Sequence, residues 1–390
     1  MSENVVSHER SGRGARAVLA LLVGALALTM LPGVAEAAKG KGKKKGEKVT
    51  VMTRNLYLGA DLGPGLSAPD LNSFVDAAGT IVNQVDANNF PARAKSLAAE
   101  ILNKKPHLVG LQEVALWRTA ANNPGSAGSP GTATTVEYDW LDSLLDELNK
   151  NKKLYRAVVI QEEFDFEAPV NDVGPPGGLL EADRNARLTM RDVILARKGV
   201  KTSKPRSGTF ANLLNVTAAG LLPINVTRGW TSVDAKVGSS KRFHFVNTHF
   251  EAFDDETQVP SIRRKQADEL VGPGGPAQSK LPVILLGDLN SNDPGVQPGD
   301  AQAFQAVAAA GFRNRDASSP LSCCLNSSLI TAGGGGSVAD FDHKVDHILT
   351  DTKAIKRLKS SVVGLQPVNG FWPSDHAGLV STLSVPAKGK

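Results

Sequence analysis

Val283-Ile284-Leu285-Leu286-Gly287-Asp288-Leu289-Asn290-Ser291-Asn292 carries an apolar run that stops at a glycine and gives way at once to an Asp-x-Asn pair. A short apolar run suits a strand buried on both faces. Pro282 before it and the Asn/Asp/Pro/Gly cluster after it predict strand over helix. Asp288 and Asn290 then stand where a core strand leaves the protein, and an i, i+2 spacing in extended backbone turns both side chains the same way. A carboxylate and an amide facing one point suit a phosphate, a water or a hard metal ion. The competing reading is an Asx turn that merely closes the strand.

The same arrangement recurs along the chain. Val49 to Arg54 alternates apolar and polar residues and ends at Asn55; Leu108 to Gln112 ends at Glu113; Arg242 to Thr248 ends at His249. Asp346 and His347 lie in the run Val345–Leu349, and Asp375-His376 precede the run Ala377–Leu383. Further strands are predicted over Leu154–Ile160, Asp192–Ala196, Val226–Val237 and Ile355–Val363. Helices are predicted over Pro91–Lys105, Tyr138–Leu148, Ser261–Leu270 and Ala301–Ala310. Asn122–Thr135 reads as a loop, and Phe164–Ala186, with several acids and Gly174-Pro175-Pro176-Gly177-Gly178, as a long surface insertion. Helices interspersed among many strands indicate a layered α/β or α+β domain.

Any one of these strand-end residues alone is more readily structural than catalytic. Together, carboxylates, amides and histidines at several strand ends are the parts for hydrolysis with a hard metal such as Mg2+. No His/Cys spacing of the H-E-x-x-H kind is present, which argues against zinc. His244, inside a strand, and His347, facing away from Asp346, are read as packing residues.

The ends of the 390-residue chain differ from its middle. Arg10, Arg13 and Arg16 precede a fifteen-residue apolar run, Ala17–Leu31, followed by Ala35-Glu36-Ala37. This is the pattern of a secretory signal peptide over 1–37, cleaved after Ala37; a membrane span needs about 20 apolar residues. Residues 38–48 read as a Lys/Gly-rich unstructured linker, 49–384 as one catalytic domain and 385–390 as a basic tail. The formal net charge of +5 resides in those ends, because acidic side chains slightly outnumber basic ones over 49–384. Bulk charge therefore gives no argument for nucleic-acid binding. The lysines serve as a solubilising spacer or as a contact to anionic surfaces, and no obligate protein partner is indicated. The only cysteines, Cys323 and Cys324, are adjacent, which excludes a disulfide framework and leaves an exported domain to be held by its core.

Met52-Thr53-Arg54-Asn55-Leu56-Tyr57, Leu111-Gln112-Glu113-Val114, Arg191-Asp192-Val193-Ile194-Leu195, Asn247-Thr248-His249-Phe250, Gly287-Asp288-Leu289-Asn290, Val345-Asp346-His347-Ile348 and Ser374-Asp375-His376 occur in that order. Taken together they resemble the successive motifs of the endonuclease/exonuclease/phosphatase superfamily, over about Val49 to Leu383. The resemblance implies a four-layer α/β (α+β) sandwich of two packed, mostly antiparallel sheets flanked by helices. It also implies one Mg2+-dependent site, with Mn2+ or Ca2+ as substitutes. By the same resemblance Glu113 is the principal metal ligand, with Asn55 and Asp375 completing or orienting the metal shell. Asp288 acts as base or orienter for the attacking water, and Asn290 positions water or a phosphate oxygen. His249 and His376, the latter supported by Asp346, bond the phosphoryl oxygens. Arg191 and Asp192 depart from the usual pattern and are carried as substrate-binding candidates. The implied activity is that of a secreted phosphodiesterase, nuclease-like. A phospholipase C or sphingomyelinase type acting on lipid headgroups is the alternative, and a non-catalytic binding protein on this fold the alternative of another class.

Overall fold

The computed structural model describes residues 46–387 except 124–127, 129–130, 255–258, 297–298, 317–320 and 334–335. The expected signal peptide, most of the lysine-rich linker and the last lysines lie outside the described residues. The chain first lays down β1 (Glu47–Asn55), β2 (Leu108–Gln112), β3 (Leu116–Ala121), β4 (Thr135–Asp139), β5 (Tyr155–Val170) and β6 (Arg184–Arg197). Among them run α1 (Gly63–Leu66), α2 (Leu71–Ala87), α3 (Phe90–Lys104) and α4 (Trp140–Asn149). A second sheet follows with β7 (Lys201–Thr209), interrupted by the separate hairpin β8 (Leu214–Ala218) and β9 (Leu222–Val226). It continues with β10 (Gly229–Lys236), β11 (Phe243–His249), β12 (Val283–Asp288), β13 (Arg313–Asn314) and β14 (Asp346–Thr350), with α5 (Ile262–Val271) and α6 (Gln302–Ala309) between them. β15 (Lys356–Val363) and β16 (Gly378–Val385) return to the first sheet.

The first sheet runs β15-β16-β1-β2-β6-β3-β4 with β5 also on β6, and the second β13-β14-β12-β11-β10-β7. Pairing is antiparallel except for β1 with β2 and β11 with β12. Each sheet thus has one parallel pair at its centre, joined by helical crossovers.

Period-two alternation assigns the layers. Ile284 and Leu286 of β12 meet Val49, Val51, Leu108 and Ile194 in the core between the sheets, while Val283 and Leu285 face the layer of α5 and α6. On the first sheet Met52, Val109, Leu111, Val193 and Leu195 turn outward to α2, α3 and α4. Burying each large aliphatic side chain contributes about 1.5–3 kcal/mol. Three apolar clusters between four layers therefore hold the sandwich that the motif order implied.

Two expectations are corrected, and one helix was missed. The linker expected to reach residue 48 gives way earlier, since β1 already pairs Glu47 with Val385 and Lys48 with Ser384. Phe164–Ala186 is a shorter insertion than expected, confined to 171–183, because β5 runs on to Val170 and β6 starts at Arg184. The acids that suggest a loop there are answered across the strands: Arg187 and Thr189 bond Asp165, and Asn185 bonds Glu167 at 2.6 Å. Helix α2, N-capped by Asp70, was not expected from the sequence.

Candidate active site

The inter-sheet face of several strands changes from apolar to polar at one end of the sandwich. Along β12 that face reads Ile284, Leu286, Asp288; along β11 it reads Phe243, Phe245, Asn247, His249. On β14 it reads Ile348 and then Asp346, because this strand runs the other way. Register places His249 opposite Asp288 and Asp288 opposite Asp346, so three of the expected residues form one row across the second sheet. Asn55 closes the equivalent face of β1, and Glu113 follows β2 with φ +53°, which swings its carboxylate back toward Asn55. Gly110 lets the sheets approach here, since a Cβ on it would lie 2.3 Å from Leu286 Cδ1.

Asp288 is the hub. Its Oδ2 accepts from Asn55 Nδ2 at 3.1 Å and lies 3.6 Å from His249 Nε2 and 3.7 Å from His376 Nε2. Its Oδ1 accepts from the Asn290 backbone N–H at 2.9 Å. Asn55 also donates to Glu113 Oε1 at 3.0 Å, and Glu113 Oε2 accepts from Leu58 N–H at 2.7 Å. Asn290, at φ +44°, donates to the Phe250 carbonyl at 2.9 Å with His249 Nε2 at 3.0 Å. His376 Nδ1 meets Asp346 Oδ2 at 2.9 Å, and that same oxygen accepts from Ser322 Oγ at 2.8 Å.

These surroundings separate the two histidines. Burial, the Arg228 guanidinium and nearby His376 hold His249 well below the ordinary imidazole range, so it is neutral. Burial also works against charge on His376, but the carboxylates of Asp346, Asp375 and Asp288 outweigh it and raise His376 well above that range. Burial raises Asp288 to about 6, with His376 opposing and Asp346 adding to the rise. A charged imidazole, a neutral one and a poised carboxylate thus converge on one point, a separation of titrating groups suited to acid–base work.

Arg191 and Asp192 have opposite fates because they are neighbours on one strand. Arg191 faces the helices, bonding Asp139 at 2.7 Å and the carbonyls of Val114 and Ala115, so its role is structural and the substrate assignment is withdrawn. Asp192 faces between the sheets, fully buried, with both carboxylate oxygens lacking hydrogen-bond partners among the described residues. It belongs to the wall behind the site, not to its exposed surface. His244 and His347 are packing residues, bonded to Asp234 and to the Ser291 carbonyl, each at 2.9 Å.

Several contributors were not anticipated. Arg228 lies 3.4 Å from both Glu251 and His249 Nδ1; its only sequence signal is a cation inside the strand predicted over Val226–Val237, which breaks at Arg228 between β9 and β10. Arg93 of α3 donates to the carbonyls of Leu56, Tyr57 and Pro373, tying the exit of β1 to the segment that carries Asp375 and His376. Arg54, paired with Glu100 at 3.1 Å, bonds the His376 carbonyl. Ser322 comes from the loop before β14. In that loop Cys323 and Cys324 are joined to each other, and Cys324 Sγ lies 3.8 Å from His376 Nε2.

The donor set fits a hard divalent cation. Glu113 and Asp375 line one cleft of about 310 Å³ and present oxygen only. Burial pushes Asp375 up to about 7, with the Glu113 charge adding to the rise and His376 opposing it, so a cation between these two carboxylates would relieve the conflict. The Asn55 amide is already committed, since its Oδ1 accepts the Tyr57 N–H at 2.8 Å while its Nδ2 bridges Glu113 and Asp288. Of the two tasks expected of Asn55, orientation is the one these bonds match. Asp288, Asp346 and His376 also bring ligand atoms within 4.8 Å of one another, but there the imidazole Nδ1 is taken by Asp346.

The sequence model of the Endonuclease/Exonuclease/phosphatase family matches residues 71–376, a span holding every expected site residue except Asn55. Among solved structures the chain is similar to an endonuclease/exonuclease/phosphatase family protein from Leptotrichia buccalis, with 15% identity and TM-score 0.52, covering 86% of this chain and 99% of that one. A protein of the same family from Bacteroides thetaiotaomicron has 14% identity and TM-score 0.50, covering 87% and 98%. A mannosyl-6-phosphatase of Bacteroides thetaiotaomicron has 14% identity and TM-score 0.48, covering 86% and 99%. No curated protein sequence matches the chain. At these identities the structural likeness is one of fold.

Proposed function

This chain belongs to the Endonuclease/Exonuclease/phosphatase family, whose members are phosphoesterases, and we propose that it is a secreted, Mg2+-dependent phosphodiesterase. The observation that carries the reading is the Asp288 carboxylate, held by Asn55 and Asn290 between a neutral His249 and a charged His376. Asp288 accepts a proton from the attacking water. His376, backed by Asp346, donates to a phosphoryl oxygen as negative charge grows there, and His249 and Asn290 orient the water or a second oxygen. Glu113 and Asp375 would hold the cation, with Asn55 orienting Glu113; Mn2+ or Ca2+ would substitute for Mg2+. When bound, such an ion neutralises charge on the transferring phosphoryl group.

Export rests on the basic, apolar and small-residue pattern of residues 1–37, and the flanking lysines suit contact with anionic surfaces. The chemistry is that of a nuclease. The cleft walls, however, favour the second reading, a phospholipase C type of substrate: Leu58, Leu62, Leu66 and Phe164 line the cleft beside Glu113, and Arg228 is the one cation among its described lining residues. The test is a panel of plasmid DNA, RNA, phosphatidylcholine, sphingomyelin and a chromogenic bis-phosphodiester, assayed in Mg2+ and in EDTA. Hydrolysis that needs the metal and fails in Glu113→Gln and Asp288→Asn is expected. Activity surviving EDTA and both substitutions overturns the mechanism, and binding without hydrolysis of any substrate supports the non-catalytic alternative.

A further inference from the structure

We infer that an apolar recess beside α1 receives an alkyl arm of the phosphodiester, next to the charged floor of the active-site cleft. The inference rests on the phosphodiesterase reading above and names the substrate class for that site.

Leu62, Leu66 and Phe164 line both spaces: on one side the cleft that holds Glu113, Asp375 and Arg228, on the other a recess of about 80 Å³. All three side chains are only half buried, so they form a rim and not a sealed wall. Phe74, Ala78 and Trp117 are among the residues that floor the recess, and all its lining side chains are hydrophobic. The Trp117 indole N–H is already spent on the Leu58 carbonyl at 3.2 Å, leaving no polar handle there for water. An apolar space without polar partners is a poor host for water, and an alkyl group gains by entering it.

Polarity therefore changes across the shared rim, from carboxylates and a guanidinium on one side to hydrocarbon on the other. A phosphodiester with one alkyl arm has that same polarity, anionic at phosphorus and apolar along the arm. A nucleic-acid strand does not. Its flanking phosphates call for cations along the groove and its bases for stacking platforms. Arg228, the cation of the cleft lining, is already engaged with Glu251.

The test uses 4-nitrophenyl phosphodiesters whose second ester is methyl, butyl or octyl, hydrolysed in Mg2+ by the purified chain. Each methylene that enters the recess is expected to raise kcat/KM about fourfold, until the recess is full. Ala78→Leu fills the recess from α2, and Leu66→Asn makes its rim polar. Both are expected to bring the butyl-to-methyl ratio of kcat/KM toward one. A ratio is read because loss of folded enzyme lowers both rates alike and leaves it unchanged. Hydrolysis with no dependence on chain length, or an unaltered ratio in both variants, overturns the recess assignment and leaves the phosphodiesterase reading standing. Failure to hydrolyse any member of the series sinks the phosphodiesterase reading itself.

Discussion

Asp346 Oδ2 lies 2.9 Å from His376 Nδ1, and Ser322 Oγ reaches the same oxygen at 2.8 Å, so a buried carboxylate fixes the imidazole from behind while Nε2 points at Asp288. Removing the charge from that carboxylate leaves the ring without its orienting partner. Asp346→Asn is expected to lower kcat about 10²–10⁴-fold, with KM little changed. Ser322→Ala, which spares the carboxylate, is expected to cost much less. Steady-state kinetics on the two variants measures the difference, and equal losses would contradict the positioning role.

Asp288→Asn separates activity from stability. Burial raises the folded-state pKa of Asp288 to about 6, above the usual carboxylate value, so its charge disfavours the folded state at neutral pH. The amide removes that conflict together with the base. Activity is expected to fall by at least about 10²-fold, while the melting temperature in EDTA stays level or rises. A large drop in melting temperature would count against this account.

Glu113 is expected to carry the linkage between cation and fold. A ligand that binds only the folded state raises its melting temperature with concentration. The wild-type chain should therefore melt later as MgCl2 is added, and Glu113→Gln should give a nearly flat titration. Parallel titrations would remove Glu113 from the metal shell.

Gly287 stands at φ +149° directly before Asp288, where a Cβ would lie 1.9 Å from the Thr248 carbonyl oxygen. That oxygen is backbone of the neighbouring parallel strand and has no room to give. Gly287→Ala is expected to destabilise by about 1–3 kcal/mol or more, read as a lower denaturant midpoint, and to displace Asp288 with loss of activity.

Glu167 supplies a pH dependence away from the site. Burial alone would raise its pKa, but bonds from Thr132 and Asn185 and from the Ala133 and Gly131 N–H groups outweigh burial and hold it down at about 2. A depressed folded-state pKa adds stability that is complete above the unfolded value of about 4.3 and fades as pH falls toward 2. Glu167→Gln should therefore melt at lower temperature than wild type at pH 7, and the gap should narrow between about pH 4 and pH 2. Melting curves across that range decide it.

Much of the candidate site was legible because its polar groups stand at breaks in apolar runs. Asn55, Glu113, His249 and Asp288 each follow such a run, and Asp375 and His376 precede one. Arg228, Arg93 and Ser322 were not legible, since each acts on a residue remote in sequence and sits in no pattern of its own. The long β5 was missed for a related reason. Its acids look like loop residues until Arg187, Thr189 and Asn185 are brought opposite them.

From its sequence alone the chain has its strand-end carboxylates and histidines, their order and the layered class of its fold, because apolar runs and the breaks after them are local. Tertiary structure decided which side of each strand faces the partner sheet. Arg191 and Asp192 are adjacent and equally polar, yet one braces α4 and the other lies buried behind the site. Alternation of side chains says only that neighbours point apart. Which of them points inward depends on sheet packing across the whole chain, and the same packing brought Asp346, Asp288 and His376 to one point.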